Sequence, residues 1–211
     1  GAGGQNLIET SCASFIGGGD FNHIRPVAGS GATVCRSFIG GGVTNCIFES
    51  VSVIGGGEQN TIHGASEYSF IGGGFINTIG GQERAAPYSV IGGGRNNSIF
   101  DDVNVIGGGQ ENTISAGAQH SFIGGGINNV VNANCGAILG GENNAINHAY
   151  AAVFGNGITS VAADTFHVSC LNAVNTPVVP PGGGIPSGTI VRWDPALGPA
   201  PVGFLPLYIA P

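Results

Sequence analysis

The chain has 211 residues, of which 41 are Gly and 8% are charged; its five basic residues are all Arg, and twelve acidic residues bring the net charge to −7. That balance argues against a nucleic-acid or anionic-membrane partner, because phosphate contacts need a basic patch. A hydrophobic share of 42% argues against disorder, and the glycines keep register with Ile instead of following the Gly-x-y period of collagen. A repeat architecture remains. No stretch reaches the ~18 apolar residues of a membrane span, and the start at Gly1 without Met reads as a processed or excised chain.

In chain order, a partial coil at Gly3 to Ile8 precedes the first full motif, Ser14 to Ile24, SFIGGGDFNHI. The Ile before the glycines returns at Ile39, Ile54, Ile71, Ile91, Ile106 and Ile123. Leu139 and Phe154 continue the series with eroded glycines, so the steps from Ile16 are 23, 15, 17, 20, 15, 17, 16 and 15 residues. The spacing from Ser-Phe-Ile through Asn-x-Ile barely varies, with one residue lost at Gly140-Gly141. Length changes fall in the linkers, longest at Arg25 to Arg36 and Gly80 to Tyr88. Stacked strands cannot change length while loops can, so the pattern predicts an all-β fold, a parallel β-solenoid of about nine coils of 15–17 residues over residues 1–158.

Within each coil the spacing predicts strand, turn, strand, turn, with the Gly triplet supplying positive φ and close approach between coils. Asn22, Asn45, Asn60, Asn77, Asn97, Asn112, Asn129 and Asn144 each stand two residues before an apolar residue. Asn tolerates the left-handed region and bonds a neighbour in the next coil, which predicts a stacked Asn ladder. Phe38-Ile39, Val53-Ile54, Val90-Ile91 and Val105-Ile106 are adjacent large apolar pairs, and adjacent strand residues point to opposite faces. Two apolar faces predict that the outer wall packs on copies of the same chain around a shared axis.

Past Phe154 the repeat ends. Residues 159–176 include Ala163 to Ser169, an alternating stretch that reads as a closing strand. From Pro177 to Pro211 the chain is Pro/Gly-rich and holds nine of the eleven prolines. Trp193, Phe204, Leu205, Leu207, Tyr208 and Ile209 make it apolar enough to lie along another subunit, which reads as a longitudinal assembly tail.

The chemistry-bearing residues point away from catalysis. The Gly triplets lack the Gly-Lys-Ser/Thr of a phosphate loop, since there is no Lys, and no helix follows them. Five Cys (Cys12, Cys35, Cys46, Cys135, Cys170) form no CxxC pair, and their odd number leaves one free or paired between chains. His23, His63, His120, His148 and His167 do not follow the hexapeptide period of acyltransferase β-helices. Asp20, Glu58, Glu111 and Glu142, just after the glycines, read as a solubilising edge. Neither catalytic, metal nor cofactor-binding residues are expected. Candidate receptor contacts fall on the long loops, at Arg25, Arg36, Gln82, Glu83, Arg84 and Tyr88, where a surface glycan or a protein could be read.

The motif S-[FV]-I-G-G-G-x-x-N-x-I resembles the head repeats of trimeric autotransporter adhesins and the SxxGGGxxNxx arrays of phage, large-virus and bacterial tail-fibre-like proteins. Ala151 to Ala173 is similar to the segment that follows such arrays and precedes an intramolecular chaperone domain; here the Pro/Gly-rich stretch from Pro177 comes next. The resemblance covers about residues 1–173 and implies a left-handed β-roll associated as a trimer. The expected function is that of a non-enzymatic structural protomer of a self-assembling extracellular or virion surface fibre, adhesive through its loops. The alternatives are a carbohydrate-active or acyl-transferring β-helix enzyme and an ice-binding-like ligand-binding solenoid. The latter needs a flat Thr face, and the middle of Asn-x-Ile holds Thr only at 61, 78 and 113.

Overall fold

The computed structural model describes residues 4–81 and 84–169. Over these residues the chain is all-β, contains no helix and winds as a parallel β-solenoid of about ten turns. The Asn-x-Ile segments build a nine-stranded sheet from Leu7–Ile8 to Ala145–Ile146, and the Ser-Phe-Ile segments a ten-stranded sheet from Phe15–Ile16 to Phe166–Val168. Strands pair position for position, Phe38 with Val53 and Ile39 with Ile54 in one sheet, Cys46 with Thr61 and Ile47 with Ile62 in the other. Between the two strands of each coil a column of single bridges links Asp20, Val43, Glu58, Phe75, Arg95, Gln110, Ile127 and Glu142. The acidic edge is therefore broken by apolar residues, and Glu111 lies one position outside that column.

The core is a stack of one β-branched side chain per strand. Ile39, Ile54, Ile71, Ile91, Ile106, Ile123, Ile138 and Val153 line one wall, and Ile24, Ile47, Ile62, Ile79, Ile99, Ile114, Val131 and Ile146 the other, all with no exposure. Val and Ile suit a strand because their branched side chains pack well on a pleated surface.

Backbone hydrogen bonds run in two directions. Strand N–H groups donate forward to the next coil, as in Phe38 N to Ser52 O at 3.0 Å and Gly40 N to Ile54 O at 2.9 Å. At two corners per coil a non-Gly residue adopts positive φ, and its N–H turns back to the preceding coil, as in Thr44 N to Asp20 O and Val51 N to Cys35 O, both 2.9 Å. The left-handed conformation costs an L-residue roughly 1–2 kcal/mol, and the reversed bond helps offset it. These corners correct one expectation. The ladder Asn residues are not left-handed; the residues just before them are (Phe21, Thr44, Gln59, Ile76, Asn96, Glu111, Asn128 and Asn143). The corner residue absorbs the bend, which leaves each Asn free to point inward.

The three glycines of a triplet do different work. A Cβ on the first (Gly40, Gly55, Gly72, Gly92, Gly107 or Gly124) would stand 2.1–2.5 Å from a carbonyl oxygen of the next coil. The third requires positive φ, +89° at Gly57 and +92° at Gly109. The second is open, with Gly56 and Gly108 having nothing nearer than 3.8 and 3.9 Å.

The eroded coils also differ from expectation. Ile138 pairs with Ile123 and Val153 with Ile138, so these occupy the core position, while Leu139 and Phe154 are 52% and 54% exposed. No residue is lost at Gly140-Gly141. The deletion lies one coil later, where the register slips beyond Ile138. Leu139 occupies a first-glycine position, and a side chain fits there because the shorter coil that follows leaves it unpaired as a bulge. The closing strand, Phe166–Val168, pairs in parallel with Ala152–Asn156. The tail residues Trp193, Phe204, Leu205, Leu207, Tyr208 and Ile209 lie outside the described residues, as do Gln82 and Glu83.

Candidate functional site

Three features stand out on this scaffold: two buried polar ladders, an outward apolar wall, and the loops. In the first ladder each buried Asn side chain is fully engaged. Asn60 Nδ2 donates to Asn45 Oδ1, Gly56 O and Gly74 O at 2.9–3.0 Å, and Asn60 Oδ1 accepts from the N–H and Nδ2 of Asn77 at 3.0 and 3.1 Å. The pattern spans Asn22 to Asn144 and begins one coil earlier, at Asn6, whose Oδ1 accepts from Asn22 N at 3.0 Å. Asn6 carries the same Asn-x-Ile signal in the partial coil, at Asn6-Leu7-Ile8, so it was legible in the sequence.

A second ladder uses the Ser that opens most of the motifs, from Ser14 to Ser121. Ser69 Oγ accepts from Ser89 N at 3.3 Å and donates to the linker carbonyl of Ala86 at 3.1 Å. Asn104 substitutes in one coil, taking Ser121 N on its Oδ1 at 2.7 Å. The recurrence of Ser before the strand was the available signal for this ladder. Its role emerges only once the linker carbonyls fold back over it. Together the ladders keep a polar interior hydrogen-bonded, the condition under which buried polar groups stabilise rather than cost.

The outward side of the ten-stranded sheet carries the residue next to each core Ile. Phe15 (57% exposed), Phe38 (40%), Phe70 (41%) and Phe122 (40%) stand on this wall, with half-buried Val53, Val90 and Val105 among them. The Phe15 and Phe38 rings stack with centroids 5.7 Å apart. The nine-stranded sheet faces outward with a more polar set, including Thr61, Thr78, Ser98 and Thr113.

The candidate receptor residues among the described ones sit in separate settings. Arg25 is half-buried, its guanidinium 5.4 Å above the Phe48 ring, which stacks in turn on His63 at 5.9 Å. The Arg25 Nε is buried with no hydrogen-bond partner among the described residues. Burial pushes the His63 imidazole below its ordinary pKa, and pushes the half-buried Cys46 thiol up against the opposing charge of Arg25. Arg36 and Tyr88 occupy left-handed corners in the other column, and the Tyr88 ring lies parallel to that of Tyr68 at 5.0 Å. Gly81 and Arg84 face each other in a single antiparallel bridge. A disulfide joins Cys12 and Cys35, facing partners in the paired strands Ser11–Cys12 and Val34–Cys35. Sequence spacing does not single out that pair, because the partners meet only through the long linker. Cys46 and Cys135 are free among the described residues.

Asp101 and Asp102 form the most perturbed acidic pair. Burial works against the Asp101 charge, but hydrogen bonds from the N–H groups of Asp102 and Gly117 and from the Gln119 amide outweigh it and hold the carboxyl below its usual range. Burial, then the neighbouring Asp101, pushes Asp102 up. The pair fastens linkers, since Asp101 takes Gly117 N at 2.5 Å and Gln119 Nε2 at 3.2 Å.

These features define the class: a parallel β-solenoid repeat protein whose regularity lies in ladders of identical residues. No protein-family model matches the chain, and no curated protein matches it in sequence.

Proposed function

We propose that the chain is the structural protomer of a self-assembling surface fibre, in which copies associate as a homotrimer through the outer wall of the ten-stranded sheet. The observation that carries this is the exposed column Phe15, Phe38, Phe70 and Phe122. A solitary solenoid buries its core with the inward Ile alone, and a contiguous outward apolar stripe on a soluble protein marks an interaction surface. Rotational association of identical walls covers that stripe in every copy and leaves the polar face of the nine-stranded sheet to solvent. The Cys12–Cys35 disulfide supports an oxidising, extracellular or virion-surface setting. Contact with a receptor, glycan or protein, falls to the loops.

Sedimentation velocity and negative-stain electron microscopy test the reading. The wild-type chain is expected to run as a trimer, and a Phe70→Ser/Phe122→Ser double variant as a β-rich monomer. A wild-type monomer at micromolar concentration, or a trimer indifferent to the double substitution, would overturn it.

A further inference from the structure

Residues 96–98 read Asn-Asn-Ser, the one Asn-x-Ser/Thr sequence in the chain. The fold divides these three residues between interior and surface. Asn97 is a rung of the ladder, fully buried, with its Nδ2 on Asn77 Oδ1 at 3.1 Å. Asn96 is the exposed left-handed corner before it, at φ 54°, with its N–H turned back to Phe75 O at 2.8 Å. Ser98 projects outward between the inward Asn97 and Ile99. Two coils further along the corner column, Asn128 Nδ2 is tied to Asn143 Oδ1 at 2.7 Å. Asn96 stands instead between Ile76, which has no polar side-chain atom, and Glu111, whose carboxylate accepts from Gln110 Nε2 at 2.9 Å.

We propose that Asn96 is an acceptor for N-linked glycosylation. The donor is a lipid-linked oligosaccharide, used by an oligosaccharyltransferase of the secretory route. Asn96 Nδ2 forms a bond to the anomeric carbon as the bond from that carbon to the lipid pyrophosphate breaks, and one amide proton is lost. The repeat sharpens the match. Thr61, Thr78 and Thr113 stack in register with Ser98, but their corners hold Gln59, Ile76 and Glu111. Asn128 and Asn143 are corner Asn residues, yet Val130 and Ala145 stand where the hydroxyl is required. The coil of Asn96 alone brings an exposed corner amide and a strand hydroxyl together. That corner opens the polar nine-stranded sheet, so a glycan on it is compatible with assembly through the Phe wall. The Cys12–Cys35 disulfide fits the same oxidising route. The biological setting rests on the surface-fibre reading.

The test is intact and peptide mass spectrometry of the full chain secreted from insect cells, before and after digestion with peptide-N-glycosidase. One N-glycan is expected, on Asn96, lost in Asn96→Gln and in Ser98→Ala and retained in Ser98→Thr. The coil accepts these replacements, because Gln59 already takes a left-handed corner and Ala145 and Thr113 already occupy the strand position. Gln59→Asn sets an amide at the corner beside Thr61 and should add a second glycan. A wild-type chain secreted without a glycan, a glycan that survives Asn96→Gln, or no second glycan in Gln59→Asn overturns the proposal. The Phe70→Ser/Phe122→Ser variant should carry the same glycan as wild type, so sedimentation of these samples reports the fibre reading separately.

Discussion

Asn77 Nδ2 sits 3.1 Å from Asn60 Oδ1, and that same oxygen takes the backbone N–H of Asn77 at 3.0 Å. One side-chain oxygen thus fixes both the main chain and the side chain of the residue stacked on it, and the pair repeats from coil to coil. The ladder behaves as a single polar rod, in which removing a rung exposes partners on both sides.

Replacing a middle rung should therefore cost more than replacing an end. Asn77→Ala leaves Asn60 Oδ1, Gly73 O and the Asn97 N–H short of a partner, and each unsatisfied buried group costs about 1–3 kcal/mol. A loss of about 3–5 kcal/mol is expected in urea unfolding. Asn6→Ala, with a neighbour on one side only, should lose about half as much. Equal losses at the two sites would show that the rungs act independently.

The glycine triplets make a sharper test, because two adjacent glycines should respond oppositely to alanine. Gly107→Ala drives a Cβ to 2.4 Å from Gly124 O, a backbone atom that cannot step aside. Overpacking of that kind costs about 3 kcal/mol or destroys the coil. Gly108→Ala meets nothing closer than 3.9 Å and should stay within about 1 kcal/mol of wild type, on the stabilising side. Thermal melts of the two variants decide it; similar melts would mean that the triplet recurs along the chain for some reason other than coil spacing.

The disulfide predicts a local effect. Cys12–Cys35 closes a separation of 23 residues, worth about 3 kcal/mol by the loop-entropy relation. In Cys12→Ser/Cys35→Ser, amide exchange should accelerate over residues 11–36 and stay unchanged beyond residue 90, since solenoid coils contact mainly their neighbours. Uniform acceleration along the chain would argue for one cooperative unit.

The acidic pair predicts opposite pH responses. Asp101 has a depressed folded pKa, so it contributes stability above its unfolded pKa of about 3.9, lost as pH falls through the folded value. Asp102 has a raised folded pKa, so its contribution is fully present below about 3.9 and is lost as pH climbs through the folded value. Asp101→Asn should flatten the acid side of the stability profile, whereas Asp102→Asn should remove the loss just above pH 4 and leave the acid side intact. Melting profiles between pH 2 and 6 test this, and identical profiles for the two variants would refute the assignment.

The coil was legible because a solenoid writes its register directly into the chain: Ser-Phe-Ile, Gly-Gly-Gly and Asn-x-Ile recur at fixed internal spacing, and lateral stacking demands that like residues meet like. The same regularity made Ile the core and Asn the ladder. The eroded coils were harder, because Leu139 reads as an Ile substitute until the register places Ile138 inward and exposes Leu139 as the bulged residue.

The sequence by itself determined the parallel coil, its β-branched core, its Asn column and the doubly apolar strand, because each depends on spacing within a single repeat. Only the tertiary structure decided which residues take the left-handed corners, how the Ser column closes on linker carbonyls, that Cys12 meets Cys35, and that Arg25 lies over Phe48. Those outcomes depend on how linkers of unequal length fold back against neighbouring coils. The contacts they make join residues whose separation varies from coil to coil, and no fixed spacing in the sequence records them.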